Sequence, residues 1–494
     1  MAQTVMIILK SVVVCDTISY EIICIIKLFK KEGIIMSEFS ISDLPKGAEI
    51  HMIGIGGISM SGIAEMLIYL GYCISGSDVR ESDLLDELRT KGAEIYIGQR
   101  AENIKSPDLV CYTAAIAENN PELTAARSLG IKTIERAELL GAIMELYKYP
   151  IAVAGTHGKT TVTSMLSLAL LRANTDPTIL VGGQLPQIGG NFRIGKKDYL
   201  PFEACEYVES FLHFRPFLSI ITNVEEDHLD YFSGINHIIS SFKKFARLTS
   251  PNGCIIVCSD DKNTGEVVQN VERNVIKYAI NDKNADFLAK NITYSETGCG
   301  KFDVYKAGQK FAEVKLSVPG THNVLNALAV VAAADFLGID MKAVVEGLAE
   351  YGGTKRRFEH VGEINGCEII DDYAHHPTEI EATIKTAKKM NKRVWVVFQP
   401  HTYSRTITLL DRFAEALSIA DRVMICDIYP AREKYDGKIH SCDLASKIKG
   451  AVYMSDNSAI ERYLTKNLTK DDMLITMGAG DVYKIGYNLS KKVE

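Results

Sequence analysis

The chemistry that this sequence could perform is clearest in the segment AGTHGKTT, where glycines, a lysine and two threonines follow an apolar run. Backbone amides of such a turn can surround the terminal phosphates of a nucleotide, and the lysine can neutralise charge on the γ-phosphoryl group. A threonine hydroxyl can reach magnesium. The turn has only two residues between its glycines, so it is shorter than the usual phosphate-loop pattern. The candidate ATP-binding residues are Gly155, Thr156, His157, Gly158, Lys159, Thr160 and Thr161.

Side chains farther along the chain could hold the magnesium ion that accompanies ATP. An apolar run at residues 218–221 opens into TNVEEDHLD, and ligands collect at the carboxyl ends of strands in α/β sheets. Mg²⁺ needs few protein ligands because it keeps several waters. The predicted metal ligands are therefore Thr160, Glu203 and His228. The spacing leaves two other interpretations open, an exposed acid at Glu203 and a helix-capping histidine at His228.

A second glycine-rich turn, GIGGIS, joins a predicted strand to a predicted helix near the start of the chain. Glycines there allow close approach of a pyrophosphate, and an acid about 20 residues onward can bind ribose hydroxyls. The motif does not distinguish NAD from a UDP-sugar, and it could also serve only to connect the two elements. The candidate residues are Gly54, Gly56, Gly57, Ser59 and Asp78.

A third group of candidate residues lies in DDYAHHPTEI and FQPHTYSRT, near the ends of two predicted strands. An arginine at position 405 suits bidentate binding of a carboxylate, and a histidine can orient or deprotonate an amine. Neighbouring side chains on an extended chain point to opposite sides, so His375 and His376 make a poor zinc pair. Taken singly, Arg405 would more often form a surface ion pair, but its clustering with His375 and His376 at neighbouring strand ends favours a site for a carboxylate and an amine.

These residues need elements that bring them together. Short apolar runs alternate with helical patterns from residue 49 onward, which predicts α/β units built on parallel sheets. Helical spacing after GTHGKTT predicts a helix that starts close to Lys159. We predict an N-terminal extension at residues 1–47, with a second candidate start near Met36. The predicted domains cover residues 48–147, 148–352 and 353–494.

Composition narrows the class of protein. The 494 residues are 47% hydrophobic and 24% charged, which is ordinary for a soluble globular protein. A formal net charge of −7 gives no sign of the basic surface of nucleic-acid binders. The 11 cysteines form no CxxC pair and indicate buried thiols in a reducing compartment. Charged residues interrupt the apolar runs of the first 35 residues before they reach the ~18 residues that cross a bilayer, so we predict no membrane insertion.

Together these segments resemble the ATP-dependent Mur ligase family. The motifs GIGGISMSGIAE, AGTHGKTT, ITNVEEDHLD, GTHNVLNALA, KRRFEHVG, DDYAHHPTEI, FQPHTYSRT and GAGD occur in the family's order. The resemblance implies a Rossmann-like N-terminal domain for the UDP part, a central P-loop-type ATPase domain and a Rossmann-like C-terminal domain for the amino acid. It also implies that Lys159 and His228 are catalytic, as are His375, His376 and Arg405. Four further residues are implied to contact the nucleotide, namely Asn323, Asn326, Arg357 and Asp372.

The resemblance further implies an activity. DDYAHHPTEI and FQPHTYSRT point to the branch that adds L-alanine to UDP-N-acetylmuramate, using ATP and Mg²⁺ through an acyl phosphate in the cytoplasm. We expect a monomer or homodimer with no nucleic-acid partner. One departure is EACEYVES, where many relatives read EADES, so Cys205 replaces a carboxylate.

Three alternatives remain at this point. The nearest is a recycling ligase that attaches a ready-made murein peptide to the same UDP-sugar. The second is an NAD-dependent oxidoreductase that uses the GIGG turn, which leaves GTHGKTT without a role. The third is a non-catalytic nucleotide-binding module, which leaves Lys159, Glu203 and His228 unexplained.

Overall fold

The computed structural model describes residues 39–113, 115–431 and 433–491. Most of the predicted N-terminal extension, residues 1–38, lies outside the described residues. Across the described ranges, no helix is both long enough and apolar enough to cross a membrane.

The last residues of the predicted extension pack against the first unit of the fold. Phe39 and Ile41 are buried in its hydrophobic core. The Tyr72 hydroxyl donates a hydrogen bond of 3.0 Å to the Ile41 carbonyl. The first unit therefore includes side chains that precede residue 48.

The first unit is a parallel sheet with helices packed against it. Its strands are β1 (Glu49–Ile53), β2 (Cys73–Asp78), β3 (Glu94–Ile97), β4 (Leu109–Tyr112) and β5 (Thr133–Glu135). Its helices are α1 (Ile58–Tyr69), α2 (Asp83–Thr90), α3 (Pro121–Ser128) and α4 (Arg136–Met144). The strand order is β3-β2-β1-β4-β5, and the strands pair in parallel. The order reverses beside β1, which is where Rossmann-like sheets bind their ligands.

The second unit is a larger mixed sheet. Its strands are β6 (Tyr149–Ala154), β7 (Ile179–Leu185), β8 (Gly190–Arg193), β9 (Tyr199–Glu203), β10 (Leu218–Ile221), β11 (Cys254–Cys258), β12 (Asn274–Ala279), β13 (Phe287–Tyr294), β14 (Cys299–Lys306) and β15 (Gln309–Pro319). Its helices are α5 (Lys159–Arg172), α6 (Ile235–Leu248), α7 (Thr264–Val267), α8 (Thr321–Phe336) and α9 (Met341–Glu350). The order is β15-β14-β13-β12-β11-β10-β6-β9-β7-β8. Strands β13-β12-β11-β10-β6-β9 pair in parallel, and β14 and β15 extend the sheet beyond β13 through antiparallel pairing.

The third unit is a parallel sheet with one antiparallel edge. Its strands are β16 (Glu359–Ile364), β17 (Cys367–Asp372), β18 (Arg393–Phe398), β19 (Arg422–Ile425), β20 (Val452–Tyr453) and β21 (Asp472–Met477). Its helices are α10 (Pro377–Lys388), α11 (Tyr403–Thr408), α12 (Leu410–Leu417), α13 (Ser441–Ser446), α14 (Asn457–Asn467) and α15 (Tyr483–Ser490). The order is β16-β17-β21-β18-β19-β20, with β16 antiparallel to β17. Short 3₁₀ helices occur elsewhere at Ile41–Asp43, Ala101–Asn103, Pro186–Ile188 and Tyr207–His213.

The apolar character of the central strands and helices explains this architecture. Every residue of β10 and β11 is buried, as expected for strands covered on both faces of a parallel sheet. Helix α5 is buried around most of its circumference because it packs against α8 and α9 as well as the sheet. The predicted α/β class, with Rossmann-like outer units and a central P-loop-type unit, is confirmed.

Candidate active site

The phosphate loop connects β6 to α5, and α5 begins at Lys159, as its spacing predicts. Two positions in the loop require glycine. Gly155 has φ +132°, and a Cβ there would lie 2.0 Å from Thr222 Oγ1. Gly158 has φ +87°, and a Cβ there would lie 2.8 Å from Asn326 Oδ1. Any side chain at either position would therefore strain the loop and displace a neighbour.

Residues at the end of β10 hold the loop in place. The His157 amide donates to Asn223 Oδ1 at 2.8 Å, and the Thr156 amide donates to the Asn223 carbonyl at 3.1 Å. Thr222 Oγ1 donates to the His157 carbonyl at 2.6 Å. The motif ITNVEEDHLD thus begins with residues that shape the phosphate loop.

The Lys159 ammonium group lies between the loop and a buried acid. It donates to both carboxylate oxygens of Glu206, at 3.0 and 3.2 Å, and to the Gly155 carbonyl at 2.5 Å. Glu206 is only 3% exposed. Burial opposes the charge of Lys159, but the nearby Glu206 carboxylate outweighs it and raises the pKa of Lys159. Lys159 is therefore cationic at neutral pH, and its hydrogen bonds fix the position of its ammonium group.

The predicted metal ligands surround this lysine. Thr160 follows it in the first turn of α5 and is largely buried. Glu203 Oε1 accepts a hydrogen bond of 2.6 Å from the Gly182 amide, and Oε2 is not part of that bond. His228 Nε2 lies 3.9 Å from Glu206 Oε1. Oxygen donors with one imidazole are a set that Mg²⁺ accepts, so these residues fit the ion.

Another group of candidate ligands lies close together within the described residues. Ligand atoms of His157, Glu225 and His376 fall within 4.8 Å of one another. However, His376 Nε2 lies 3.0 Å from the Glu226 carbonyl, and His376 Nδ1 lies 3.4 Å from the Thr378 amide. Thr378 Oγ1 donates to Glu225 Oε2 at 2.6 Å. The contacts with Glu225 and Glu226 join the third unit to the second. Both ring nitrogens of His376, which a metal would need, are already used.

A cavity of about 200 Å³, which we call the first cavity, opens beside the phosphate loop between the second and third units. The predicted nucleotide residues in its lining are His157, Gly158, Thr160, Thr161, Asn323, Asn326, Arg357 and Asp372. Gly155, Thr156 and Lys159 belong to the loop but not to the lining. Asn326 Nδ2 donates to Asn323 Oδ1 at 3.0 Å, which fixes both amides beside the cavity.

Asp372 supports the wall of the first cavity through its own hydrogen bonds. Its Oδ1 accepts from the Ala374 amide at 2.7 Å, and its Oδ2 accepts from the Phe358 amide at 3.0 Å. Burial raises the pKa of Asp372 to about 6, although the nearby Arg357 opposes that shift. Asp372 therefore faces the cavity and also fixes the backbone at Phe358 and Ala374.

The adjacent histidines occupy different environments. His376 is the N-cap of α10 and is fully buried, and burial lowers its pKa to about 4. His375 Nδ1 lies 3.0 Å from the Tyr373 carbonyl, which can only accept, so Nδ1 carries the proton and Nε2 carries the lone pair. Burial also lowers the pKa of His375. His375 is therefore the better placed of the two to accept a proton.

A second cavity, of about 190 Å³, is lined by Tyr207, by later residues of the loop that follows β10 and by the third unit. The loop contributes Glu226, Asp227, His228, Leu229 and Asp230, and the third unit contributes His401, Thr402, Ser404, Thr408, Leu409, Ala431 and Glu433 together with Arg405. Arg405 donates to Asp227 Oδ1 from Nε at 3.2 Å and from Nη2 at 2.8 Å. Burial opposes the charge of Asp227, but His228 and Arg405 hold the pKa of that carboxyl well below its usual range.

The predicted UDP-sugar residues lie together at the start of α1, away from both cavities. Gly54 has φ +80°. The Gly56 amide donates to Asp78 Oδ2 at 3.0 Å, so Asp78 closes the turn. Ser59 Oγ accepts a hydrogen bond of 2.9 Å from Arg136 Nη1. Gly57 is the N-cap of α1 and provides no side-chain cap.

Three residues that the motifs did not single out also contribute. Glu379 accepts from His157 Nδ1 at 3.1 Å and from the His375 amide, which links the phosphate loop to α10. Arg136 places a cation beside the GIGGIS turn, and Asn191 of the second unit donates to the Ile58 carbonyl there at 2.7 Å. An acid in the first turn of a helix was a sequence signal for Glu379, whereas Arg136 and Asn191 had none.

Comparisons with known proteins agree with this arrangement. Three family models match successive parts of the chain: the Mur ligase family catalytic domain at residues 49–148, the Mur ligase middle domain at 153–334, and the Mur ligase glutamate ligase domain at 356–480. A UDP-N-acetylmuramate–L-alanine ligase from Acetivibrio thermocellus is 51% identical over 456 residues, covering 91% of this chain and 97% of that relative.

Solved structures give the same result. The UDP-N-acetylmuramate–alanine ligase of Thermotoga maritima is 32% identical with a TM-score of 0.76, covering 90% of this chain and 99% of that one. A murein peptide ligase from Psychrobacter arcticus is 26% identical with a TM-score of 0.69, covering 90% of this chain and 98% of that one. Family models match all three units, and a relative is 51% identical over nine tenths of this chain. The chain therefore belongs to the Mur ligase family.

Proposed function

We propose that this chain ligates L-alanine to the carboxyl group of UDP-N-acetylmuramate, using ATP and releasing ADP and phosphate. This is the first addition of an amino acid in the synthesis of peptidoglycan precursors. The relative at 51% identity and the solved structure at 32% identity both carry this activity in their names, which supports the assignment. We expect the reaction to take place in the cytoplasm, with the protein as a monomer or homodimer.

One structural observation supports the assignment most directly. The loop that follows β10 lines both cavities, the first through Asn223 and Glu225 and the second through residues 226–230. A nucleotide in the first cavity and an amino acid in the second would therefore approach the same loop from two directions. Ligation needs this arrangement, because the carboxyl group must meet the γ-phosphoryl group first and the amine afterwards.

The reaction needs ATP because a carboxylate resists attack by an amine. Transfer of the γ-phosphoryl group from ATP to the carboxylate oxygen forms an acyl phosphate and ADP. Attack by the amine on the acyl carbon then forms a tetrahedral intermediate, and this collapses to the amide as phosphate leaves. Lys159 would stabilise charge on the phosphoryl group during transfer, because its direction is fixed before the reaction begins.

Three side chains of the third unit would then act on the amino acid. Arg405 would bind its carboxylate by bidentate hydrogen bonds. His375 would accept a proton from its ammonium group at Nε2, the nitrogen that carries the lone pair. His376 would fix the start of α10 against the Glu226 carbonyl and thereby hold His375 in place.

Magnesium is the cation that we propose for the phosphate end of the site. Thr160, Glu203 and His228 would hold it, and Mg²⁺ would neutralise charge on the terminal phosphates. Cys205 replaces one acid of the family motif, and Glu206 is already bound to Lys159. Glu203 is therefore the acid of this segment that we assign to the metal.

Residues of the first unit would hold the UDP part of the other substrate. The open N-terminus of α1 and the glycines before it can accept a pyrophosphate. Gly54, Gly56, Gly57 and Ser59 are the residues we assign to it, with Asp78 closing the turn. The oxidoreductase and the non-catalytic module lose their support, since the whole chain belongs to a family of ligases.

A phosphate-release assay tests the proposal. The full chain is given UDP-N-acetylmuramate, ATP and Mg²⁺ with L-alanine, glycine, L-serine or the murein tripeptide. We expect phosphate release to depend on L-alanine and on the UDP-sugar together. Release with the tripeptide but not with L-alanine would instead identify the recycling ligase.

A further inference from the structure

The contact between Asp227 and Arg405 joins two units of the fold. Arg405 lies in α11 of the third unit, and Asp227 lies in the loop that follows β10 of the second. The side chains are only 11% and 10% exposed, so water competes weakly for their charges. This is the type of ion pair whose geometry is fixed, in contrast to a surface pair.

Only part of the Arg405 guanidinium is used by this contact. A guanidinium group has five N–H donors. Asp227 Oδ1 accepts from Nε and Nη2, at 3.2 and 2.8 Å. Arg405 Nη1 lies 3.3 Å from His401 Nδ1, which must be the acceptor because arginine cannot accept. The group is therefore held on two sides, and Arg405 still lines the second cavity.

We infer that Asp227 is a positioning residue for the amino-acid substrate: it holds Arg405 so that the remaining N–H groups receive the carboxylate of the incoming amino acid. The inference rests on the proposed function, in which Arg405 binds that carboxylate. Asp227 also lines the second cavity, but its carboxylate repels the carboxylate of the substrate and does not bind it. It orients the cation that binds the substrate carboxylate. Because the ion pair already restricts the long arginine side chain, less conformational freedom is lost when the substrate binds.

Asp227 belongs to the same loop as residues that shape the nucleotide site. Asn223, four residues earlier in the same loop, fixes the phosphate loop, and His228 follows Asp227 directly. Arg405 is therefore oriented by the segment that shapes the nucleotide site. We expect high affinity for the amino acid only when the third unit is closed against the second.

The opposite role for Asp227 would be competition. If its carboxylate occupied the place of the substrate carboxylate, removal of Asp227 would free Arg405 and strengthen amino-acid binding. The two roles therefore predict changes of opposite sign in the KM for L-alanine.

Steady-state kinetics on the full chain separates them. We expect Asp227→Ala to raise the KM for L-alanine on the order of 10- to 100-fold, the effect of losing a charged hydrogen-bonded partner. The KM for ATP should rise less than the KM for L-alanine, because Arg405 does not line the first cavity, although Asp227 Oδ1 also accepts a hydrogen bond of 2.7 Å from the His228 amide. Asp227→Asn, which keeps one oxygen acceptor, should show a smaller increase. Asp411→Asn is the matched control, since Asp411 is 82% exposed and pairs with Lys447 at 2.8 Å on the surface.

Three outcomes would overturn the inference: an unchanged KM for L-alanine in both Asp227 variants, a lowered one, or equal increases in the KM for L-alanine and for ATP. If Asp227→Ala does not fold, the Asn variant decides the matter, with its thermal unfolding compared with that of Asp411→Asn. Failure of the proposed function is a separate result, because it would appear as wild-type protein without phosphate release that depends on L-alanine.

Discussion

At the scale of single residues, the pairing of Lys159 with Glu206 matters most to the proposed chemistry. The acid is almost completely buried, and the lysine is its cationic partner. Such a pair holds a positive charge at a fixed position before ATP binds. A charge that is positioned in advance stabilises a transferred phosphoryl group effectively. A terminal phosphate that enters the site shares this cation with Glu206.

Replacement of Lys159 tests this role. We expect Lys159→Ala to reduce the rate of phosphate release by about 100- to 1,000-fold, because the cation at the transferred group is lost. Binding of UDP-N-acetylmuramate to the first unit, measured by calorimetry, should change little. Lys388→Ala is the control, as Lys388 pairs with Asp421 at the surface. Turnover close to that of the wild type would show that Lys159 has another role.

The buried imidazole of His376 predicts a dependence of stability on pH. Its folded pKa, about 4, lies below the ordinary value of 6.5, because burial disfavours the charged form. Between these values the unfolded chain binds a proton that the folded chain does not, so the free energy of unfolding should fall as the pH drops from 6.5 towards 4.

Substitution of His376 by asparagine isolates this effect, because asparagine also caps a helix but does not titrate. Chemical denaturation at a series of pH values should show a shallower decrease for His376→Asn than for the wild type. Identical slopes would mean that His376 is not the group responsible.

At the scale of elements, the phosphate loop depends on the backbone of its second glycine. Gly158 combines a positive φ with a contact to Asn326 that no side chain could share. We expect Gly158→Ala to weaken ATP binding by about tenfold or more, because strain of about 1–3 kcal/mol is typical of such positions.

Gly130→Ala is the matched control. Gly130 has φ +70°, but a Cβ there would meet nothing within 4 Å, so the variant should lose stability without a change in ATP affinity. Equal ATP affinities in the two variants would contradict this account of the loop.

The sequence predicts these elements well where the information is local. The start of α5 at Lys159 and the limits of β10 at Leu218–Ile221 agree with the structure, because glycine turns and apolar periodicity are local features. The antiparallel pairing of β14 with β13 and with β15 was not predicted, since it depends on the larger sheet. The same limit applies to the site. Glu206 meets Lys159, and Glu226 meets His376, only after strand order has brought distant segments together.

At the scale of the whole molecule, the second and third units meet along a set of polar contacts. His376 with Glu226, Thr378 with Glu225, and Arg405 with Asp227 all cross from the third unit to the loop that follows β10. Closure of the third unit against the second would exclude water and so protect the proposed acyl phosphate from hydrolysis. These contacts explain why one loop can serve both cavities.

The central claim is that the sugar-borne carboxyl group is activated by phosphoryl transfer, and an oxygen-transfer measurement tests it most directly. UDP-N-acetylmuramate labelled with ¹⁸O in its carboxyl group is incubated with the full chain, ATP, Mg²⁺ and L-alanine, and the released phosphate is examined by mass spectrometry. The account predicts one labelled oxygen in phosphate for each amide formed. Amide formation with unlabelled phosphate, or without any cleavage of ATP, would contradict it.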